Sequence, residues 1–152
     1  MKNKLYVYLF FILNPLFSVE VVVNPYLQSA TPNSIKILWE TDSESQTIVE
    51  WDIQPFLTES TSGFSFSNYG NSKIHTVQLI NLTPNTRYYY RVVIGNHESY
   101  SDLYDFITPP EPSSEAPFKI IAMSDMQRDS GNPNKFDEVI HDGVIDYITE
   151  EH

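Results

Sequence analysis

A series of short runs rich in β-forming residues, spaced along residues 20–108, constrains the fold most strongly. Turn-rich segments separate the runs at intervals of about 8 to 12 residues, a spacing typical of a β-sandwich rather than of alternating strands and helices. The predicted strands are residues 19–23, 34–41, 47–52, 73–80, 86–95 and 100–108. We interpret residues 56–71, which are rich in Ser, Thr, Gly and Asn, as a long loop or irregular edge.

Alternation within two of these runs predicts which side chains form the core. In residues 34–41, Ile35, Ile37 and Trp39 recur at a period of two, which places the large Trp39 at the centre of the core. The same period predicts two faces for the run at residues 86–95. Its inward residues are Tyr88, Tyr90, Val92 and Ile94, and its outward residues are Tyr89, Arg91 and Val93.

The heptapeptide at residues 82–88, Leu-Thr-Pro-Asn-Thr-Arg-Tyr, resembles the turn and strand start that precede the sixth strand of fibronectin type III domains. In such sandwiches the tyrosine hydroxyl bonds back to upstream backbone and fixes the crossover between the sheets. Tyr88 is the candidate for this role. We therefore expect residues 20–108 to form a fibronectin type III-like sandwich.

The first 19 residues have the pattern of a signal peptide. Lys2 and Lys4 precede an apolar run at residues 5–13, which is too short to span a bilayer comfortably. We expect a secreted, periplasmic or extracellular protein with no stable membrane span after cleavage.

The chain contains no Cys, so any metal site must use other ligands. Its net charge of -11 argues against nucleic-acid partners, which are themselves anionic.

The composition changes after residue 108. Four prolines within residues 109–117 favour an extended linker. Residues 118–123 form an unbroken, mostly apolar run that suits a strand buried on both faces, and Asn132 with Pro133 can begin an amphipathic helix. We expect residues 118–152 to be the first β-α unit of an incomplete α/β domain.

Asp125 follows the predicted strand directly. The loop at the carboxyl end of such a strand carries ligands in open α/β sheets, and a rigidly aimed carboxylate suits a divalent metal. A second interpretation is that Asp125 only caps the following turn, as Asp often does. Both interpretations remain open from the residue pattern alone.

The segment Lys-Ile-Ile-Ala-Met-Ser-Asp at residues 119–125 resembles the first motif of the calcineurin-like metallophosphoesterases, which reads strand, Asp, any residue, His. With Asn-Pro-Tyr-Leu-Gln at residues 24–28 and Ile-Leu-Trp at residues 37–39, the arrangement resembles the purple acid phosphatases, which carry a fibronectin-like domain ahead of the catalytic one. The resemblance implies that Asp125 is a ligand of a dinuclear centre of Fe with Fe, Zn or Mn. Gln127 stands where many members have His, and a neutral amide is a weaker ligand.

Two functions from different classes follow. The first is the N-terminal fragment of a secreted, metal-dependent phosphoesterase that hydrolyses phosphate monoesters when complete. Because residues 126–152 cannot supply the remaining ligands, this chain should be inactive alone, and no catalytic residue is predicted in it. The alternative is an extracellular β-sandwich module that binds carbohydrate or protein.

The four histidines are not predicted to carry chemistry. Gly-Asn-His-Glu at residues 95–98 matches a metal-binding motif of the calcineurin-like family, but it precedes Asp125 and lies between two predicted strands of the sandwich. His75, His141 and His152 are interpreted as structural or solvated.

Overall fold

The computed structural model describes residues 18–96, 99–115 and 131, and within them all regular structure is β-strand. The predicted β-α unit at residues 118–152 and most of the predicted signal peptide lie outside this part. The chain divides into two units, residues 1–114 and 115–152, and the strands belong to the first. They are β1 (Val21–Thr31), β2 (Ser34–Thr41), β3 (Ile48–Asp52), β4 (Glu59–Ser62), β5 (Phe64–Ser67), β6 (Lys73–Ile80), β7 (Arg87–Ile94), β8 (Ser99–Tyr100) and β9 (Tyr104–Ile107).

The strands form two antiparallel sheets. Sheet I has the order β1-β2-β6-β5. Sheet II has the order β4-β3-β7, and both β8 and β9 pair with the remaining edge of β7. Since β8 pairs with the end of β7 and β9 with its beginning, the two short strands act as one interrupted edge strand. The expected sandwich is therefore confirmed for this part of the chain.

The core lies between the sheets, and the alternation predicted for it is largely confirmed. Trp39 is fully buried, and Tyr88, Tyr90, Val92 and Ile94 are all buried. Val93 was predicted to face outward into solvent, and the exposure is wrong: Val93 is buried, although it does not belong to the core cluster between the sheets. Its cross-strand partner Tyr100 lies on the same outer face under the Arg91 guanidinium. These neighbours cover Val93, whereas alternation alone predicts that an outward residue is exposed to solvent.

The segment interpreted as a long loop or irregular edge contains two strands, β4 and β5, each at the edge of a different sheet. The chain passes from sheet II to sheet I at Gly63, which lies against the backbone of β6. A Cβ atom placed on Gly63 would lie 1.9 Å from the carbonyl oxygen of Thr76. Only a glycine can therefore occupy this position without displacing β6. The polar composition of the segment gives no indication of this requirement.

The first strand is longer than predicted, because β1 extends through the Pro25 region to Thr31. Its register against β2 shifts between Val23 and Tyr26, on either side of Pro25. Proline lacks the N–H group that a ladder needs and is tolerated in sheets at edges and bulges. Since β1 is an edge strand, it accommodates the proline with this irregularity.

The proline-rich segment after β9 is not uniformly extended as predicted. The amide of Ser114 donates a hydrogen bond of 2.8 Å to the carbonyl oxygen of Glu111, which closes a turn. Pro112 occupies the second position of this turn, where its fixed φ is favourable. The same residue type that prevents regular structure therefore forms a local turn here.

Candidate functional site

Most residues considered for chemistry lie outside the described part of the chain. They are Asp125, Gln127, His97, His141 and His152. Among residues 18–96, 99–115 and 131, no group of three or more His, Cys, Asp or Glu side chains is placed to hold a metal ion. The described sandwich therefore does not fit the dinuclear centre that the resemblance implies. Its polar clusters serve other purposes, described below.

His75 lies in the core of the sandwich, where it stacks on Trp39 with 4.8 Å between the ring centroids and 11° between the ring planes. Its Nε2 atom lies 2.8 Å from Oγ1 of Thr41, and its Nδ1 atom lies 2.7 Å from Oγ1 of Thr47. Both ring nitrogens thus have partners, and the ring has no solvent exposure. The structural interpretation of His75 is confirmed.

The hydrogen bonds around His75 define its tautomer. The Thr41 hydroxyl donates its proton to the carbonyl oxygen of Ser43, so its oxygen accepts from Nε2–H of His75. Nδ1 is then unprotonated and accepts from the Thr47 hydroxyl. Burial lowers the pKa of His75 to about 4, while Glu44 opposes and Lys73 reinforces this change. A neutral, enclosed imidazole of this kind holds strands together and cannot meet a substrate.

A second polar cluster lies where the chain leaves the sandwich. The hydroxyl oxygen of Tyr88 accepts a hydrogen bond of 2.9 Å from the amide of Thr83, which confirms the predicted corner. The buried Thr108 hydroxyl donates to the carbonyl oxygen of Thr83 at 2.6 Å and accepts from the amide of Thr86 at 3.0 Å. The amide of Asn85 also reaches the carbonyl oxygen of Pro109 at 3.2 Å. This exit cluster fixes where the proline-rich segment begins.

A third cluster lies on the outer face of sheet II. The Arg91 guanidinium stacks on the Tyr100 ring at 3.8 Å from its centroid and bonds Glu50 through both Nε, at 2.8 Å, and Nη2, at 2.6 Å. Beside it is a groove of about 340 Å³. Its lining residues are Pro55, Phe56, Leu57, Arg91, Ser101 and Leu103. Since Glu50 already neutralises Arg91, the groove offers no unbalanced charge to a ligand.

Sequence reasoning missed the exit cluster around Thr108 and the pairing of Glu50 with Arg91. The second pair lies on neighbouring strands and faces outward, so alternation on β3 and β7 could have indicated it once the strands were aligned. Thr108 carries no such signal, because its partners are backbone groups of a distant turn. No helix long and apolar enough to cross a membrane occurs among the described residues.

Two comparisons with known sequences bear on this sandwich. The family described as "Purple acid Phosphatase, N-terminal domain" matches residues 22–108, which is more than half of the chain. A purple acid phosphatase of Glycine max is 26% identical over 139 residues, covering 84% of this chain. The chain spans 28% of the length of that relative, so the comparison concerns only part of the plant protein.

Solved structures with a similar fold come from proteins of other kinds. The sensor domain of the anti-sigma factor RsgI4 of Pseudobacteroides cellulosolvens is 20% identical, with a TM-score of 0.49, covering 66% of this chain and 99% of that one. The fibronectin type-III domain of human fibronectin type III domain containing protein 3 is 21% identical, with a TM-score of 0.40, covering 59% of this chain and 87% of that one. Neither likeness is close enough to support an argument about function.

The family match begins at residue 22, within β1, and ends at residue 108, the anchor of the exit cluster. It therefore coincides with the sandwich and includes the Tyr88 corner and the Trp39–His75 core. The chain belongs to the family of the purple acid phosphatase N-terminal domain.

Proposed function

We propose that this chain is the N-terminal part of a metal-dependent phosphoesterase that hydrolyses phosphate monoesters when complete. The family match carries the proposal, because it assigns the sandwich to the domain that precedes the catalytic part in purple acid phosphatases. The sandwich would then be a support, with the catalytic domain beginning after the proline-rich segment. The exit cluster at Thr108 is consistent with this role, since it gives the following chain a fixed starting point.

The similarity to the plant phosphatase supports an extension of the proposal beyond the sandwich. Its aligned part covers 84% of the chain, which is about 128 of the 152 residues. A continuous stretch of this length includes Asp125 wherever it begins. We propose Asp125 as a first ligand of a dinuclear metal centre and treat Gln127 as the weaker candidate, because an amide oxygen binds Fe or Zn less strongly than an imidazole.

We also propose export of the protein. The charged start at Lys2 and Lys4 and the short apolar run that follows support it. The proposed domain bounds are residues 1–19 for the signal peptide, 20–108 for the sandwich, 109–117 for the linker and 118–152 for the start of the catalytic domain. Mass spectrometry of the protein recovered from outside the cells tests this part of the proposal, since a mature chain that begins near residue 20 is expected.

The enzymatic proposal is tested with two proteins, the 152-residue chain and a longer chain encoded by the gene read beyond codon 152. We expect the longer chain to bind two metal ions and hydrolyse p-nitrophenyl phosphate, and the shorter chain to do neither. Asp125→Asn in the longer chain should reduce both the metal content and the rate of hydrolysis, whereas Gln127→Ala should change the metal content little.

Metal analysis provides a measurement that does not depend on activity. A gene that ends at codon 152, or a longer chain without bound metal, would contradict the enzymatic proposal. Either result would favour the interaction module. If the longer chain binds metal and Asp125→Asn leaves the metal content unchanged, the family function stands and the assignment of Asp125 fails.

A further inference from the structure

The outer face of sheet I carries a continuous group of apolar side chains, which we call the outer patch. Its members come from all four strands of the sheet and are Val23, Tyr26, Leu38, Phe64, Phe66 and Ile74. Phe64 is 65% exposed and Phe66 is 48% exposed, unusually high values for phenylalanine. Contiguous exposed apolar surface of this kind marks an interaction site more often than isolated apolar residues do.

The strand register shows that the outer patch is continuous. Tyr26 pairs with Leu38, Leu38 with Thr76 and Thr76 with Phe64, which makes one row across the four strands. The next row runs from Val23 through Glu40 and Ile74 to Phe66. Directly paired residues share a face and have Cβ atoms about 5 Å apart. The two rows therefore form one surface, on the side of the sheet opposite the buried His75.

Opposite charges flank the centre of the outer patch on β2. Lys36 lies two residues before Leu38 and Glu40 two residues after it, all on the same face. The Glu40 carboxylate is held in place by Asn68, whose side-chain amide donates to it at 2.9 Å. Hydrogen bonds from Ser72 and Asn68 lower the pKa of Glu40, which keeps it ionised. Among the described residues, Lys36 has no ion-pair partner.

We propose that the outer patch is a two-fold interface at which two copies of this chain associate. A two-fold axis between the two faces, perpendicular to β2 at Leu38, sets Leu38 against Leu38 of the second copy. The same axis places Lys36 of each copy opposite Glu40 of the other. Both residues lie about 7 Å from Leu38 along the strand, within reach of a lysine side chain even when packed sheets are rotated by about 30°.

The charge of the whole chain favours this face over other surfaces for self-association. With a net charge of -11, two copies repel each other wherever their acidic surfaces meet. Lys36 and Glu40 flank the centre of the outer patch in a self-complementary arrangement, and the members of the patch are uncharged. An isologous interface requires such self-complementarity, since residue i of one copy must fit residue j of the other in both directions.

Sedimentation equilibrium of the full 152-residue chain tests the proposal. Measurements from about ten micromolar to about one millimolar are appropriate, because interfaces below about 1,200 Å² are weak and transient. We expect a monomer–dimer equilibrium whose dissociation constant rises at least about tenfold on Phe64→Ser/Phe66→Ser. Phe56→Ser is the matched control, since Phe56 is 82% exposed but lies beside the groove on sheet II, and it should leave the dissociation constant unchanged.

Charge exchange tests the register of the interface. Lys36→Glu sets two glutamates together at each contact, and Glu40→Lys sets two lysines together. We expect each single change to weaken the dimer about tenfold, because like charges in contact are unfavourable at an interface. The double variant Lys36→Glu/Glu40→Lys restores opposite pairing and should recover most of the affinity. Circular dichroism of each variant shows whether the sandwich is intact.

Three results would overturn the proposal. The first is a chain that remains monomeric to about one millimolar, including the case in which another part of the same chain covers the outer patch. The second is a dimer that the double serine variant does not weaken. The third is a double charge variant no better than the single ones, which would exclude this two-fold register. The outcome does not depend on metal binding or phosphatase activity, so the proposed function can fail or succeed independently.

Discussion

Among the described strands, the chain passes between the two sheets at three places. The connections from β4 to β5 and from β6 to β7, which we call the first and the second crossing, are held in place in opposite ways. At the first crossing, from β4 to β5, Gly63 lies against β6 because it has no side chain. At the second crossing, from β6 to β7, Tyr88 uses a large side chain to hold the turn, through its bond with the amide of Thr83. The first crossing depends on the absence of a side chain, which lets two backbones approach closely, and the second depends on a specific hydrogen bond.

The first crossing is connected to the buried His75 through hydrogen bonds. The Gly63 amide donates to the carbonyl oxygen of Thr47 at 2.9 Å, and the Thr47 hydroxyl bonds His75. A backbone shift at Gly63 would therefore displace Thr47, which is hydrogen-bonded to the buried His75. At the second crossing, Tyr88 and Thr108 both hold the backbone of Thr83, so each supports the other. We expect the first crossing to be more sensitive to substitution.

Substituting Gly63 should produce the largest effect. In Gly63→Ala the new methyl group would overlap the carbonyl oxygen of Thr76, and because that atom is backbone, either β5 or β6 must move. We expect the free energy of unfolding to fall by more than about 4 kcal/mol, the exceptional end of single substitutions. Urea denaturation followed by tryptophan fluorescence measures this change.

Gly70→Ala is the matched control for this prediction. Gly70 has a φ of 68° but open space around its Cα, so alanine there meets only the cost of the left-handed conformation, about 1–2 kcal/mol. If the two substitutions destabilise the chain equally, the close approach at Gly63 is not what fixes the first crossing.

The two crossings differ in how far the sequence could predict them. Tyr88 belongs to a heptapeptide with a turn and a strand start, so its hydroxyl could be assigned a role before its partner was known. Gly63 lies among Ser, Thr and Asn residues, where a glycine usually indicates a flexible loop, and nothing in the segment shows that another strand passes close by. A pattern of side chains can be predicted from sequence, whereas a close approach of two distant backbones cannot.

The candidate chemical residues show the same limit. His75 occupies an inward position of β6, so its burial follows from alternation, but its bonds to Thr41 and Thr47 depend on the packing of the β2–β3 connection. Asp125 and Gln127 were identified from a motif next to a predicted strand, and they remain predictions because they lie outside the described residues. The continuity of the outer patch could be established only from the register of four strands, which sequence reasoning did not provide.

Acid should weaken the first crossing through His75. The native pKa of about 4 lies below the ordinary value of 6.5, so the unfolded chain takes up the proton first. The free energy of unfolding is therefore highest above pH 6.5, and its decrease between about pH 6.5 and 4 should reach about 3 kcal/mol at about 1.4 kcal/mol per pKa unit. Urea denaturation at intervals across this range measures the slope.

His75→Gln isolates this contribution, because glutamine keeps a donor and an acceptor but does not titrate. The variant should be less stable at pH 7, and the decrease between pH 6.5 and 4 should largely disappear. Hydrogen bonds also lower the pKa values of Asp42 and Asp52, and their contribution is lost at lower pH in both proteins. An unchanged slope in the variant would mean that His75 is protonated in the folded state at mildly acidic pH.

Loss of the Tyr88 hydroxyl should have the smallest of the three effects. Tyr88→Phe keeps the ring against Trp51 and Phe106, at centroid distances of 5.8 and 5.6 Å, so the core packing is preserved. The amide of Thr83 loses its acceptor, which for a partly buried group costs about 1–3 kcal/mol. The turn itself should stay in place, because the carbonyl oxygen of Thr83 remains bonded to Thr108. The effect is therefore local, and hydrogen exchange at the Thr83 amide should accelerate by more than the global loss of stability explains.

Tyr69→Phe is the matched control, because it also removes a tyrosine hydroxyl, but from a residue that is 93% exposed. It should change the free energy of unfolding by less than about 0.5 kcal/mol. The difference between the two variants gives the contribution of the corner hydrogen bond alone. If Tyr88→Phe matches this control and leaves exchange at Thr83 unchanged, Thr108 is sufficient to hold the second crossing. The tyrosine would then contribute through the packing of its ring, as Gly63 contributes through the space it leaves, and the contrast between the two crossings would disappear.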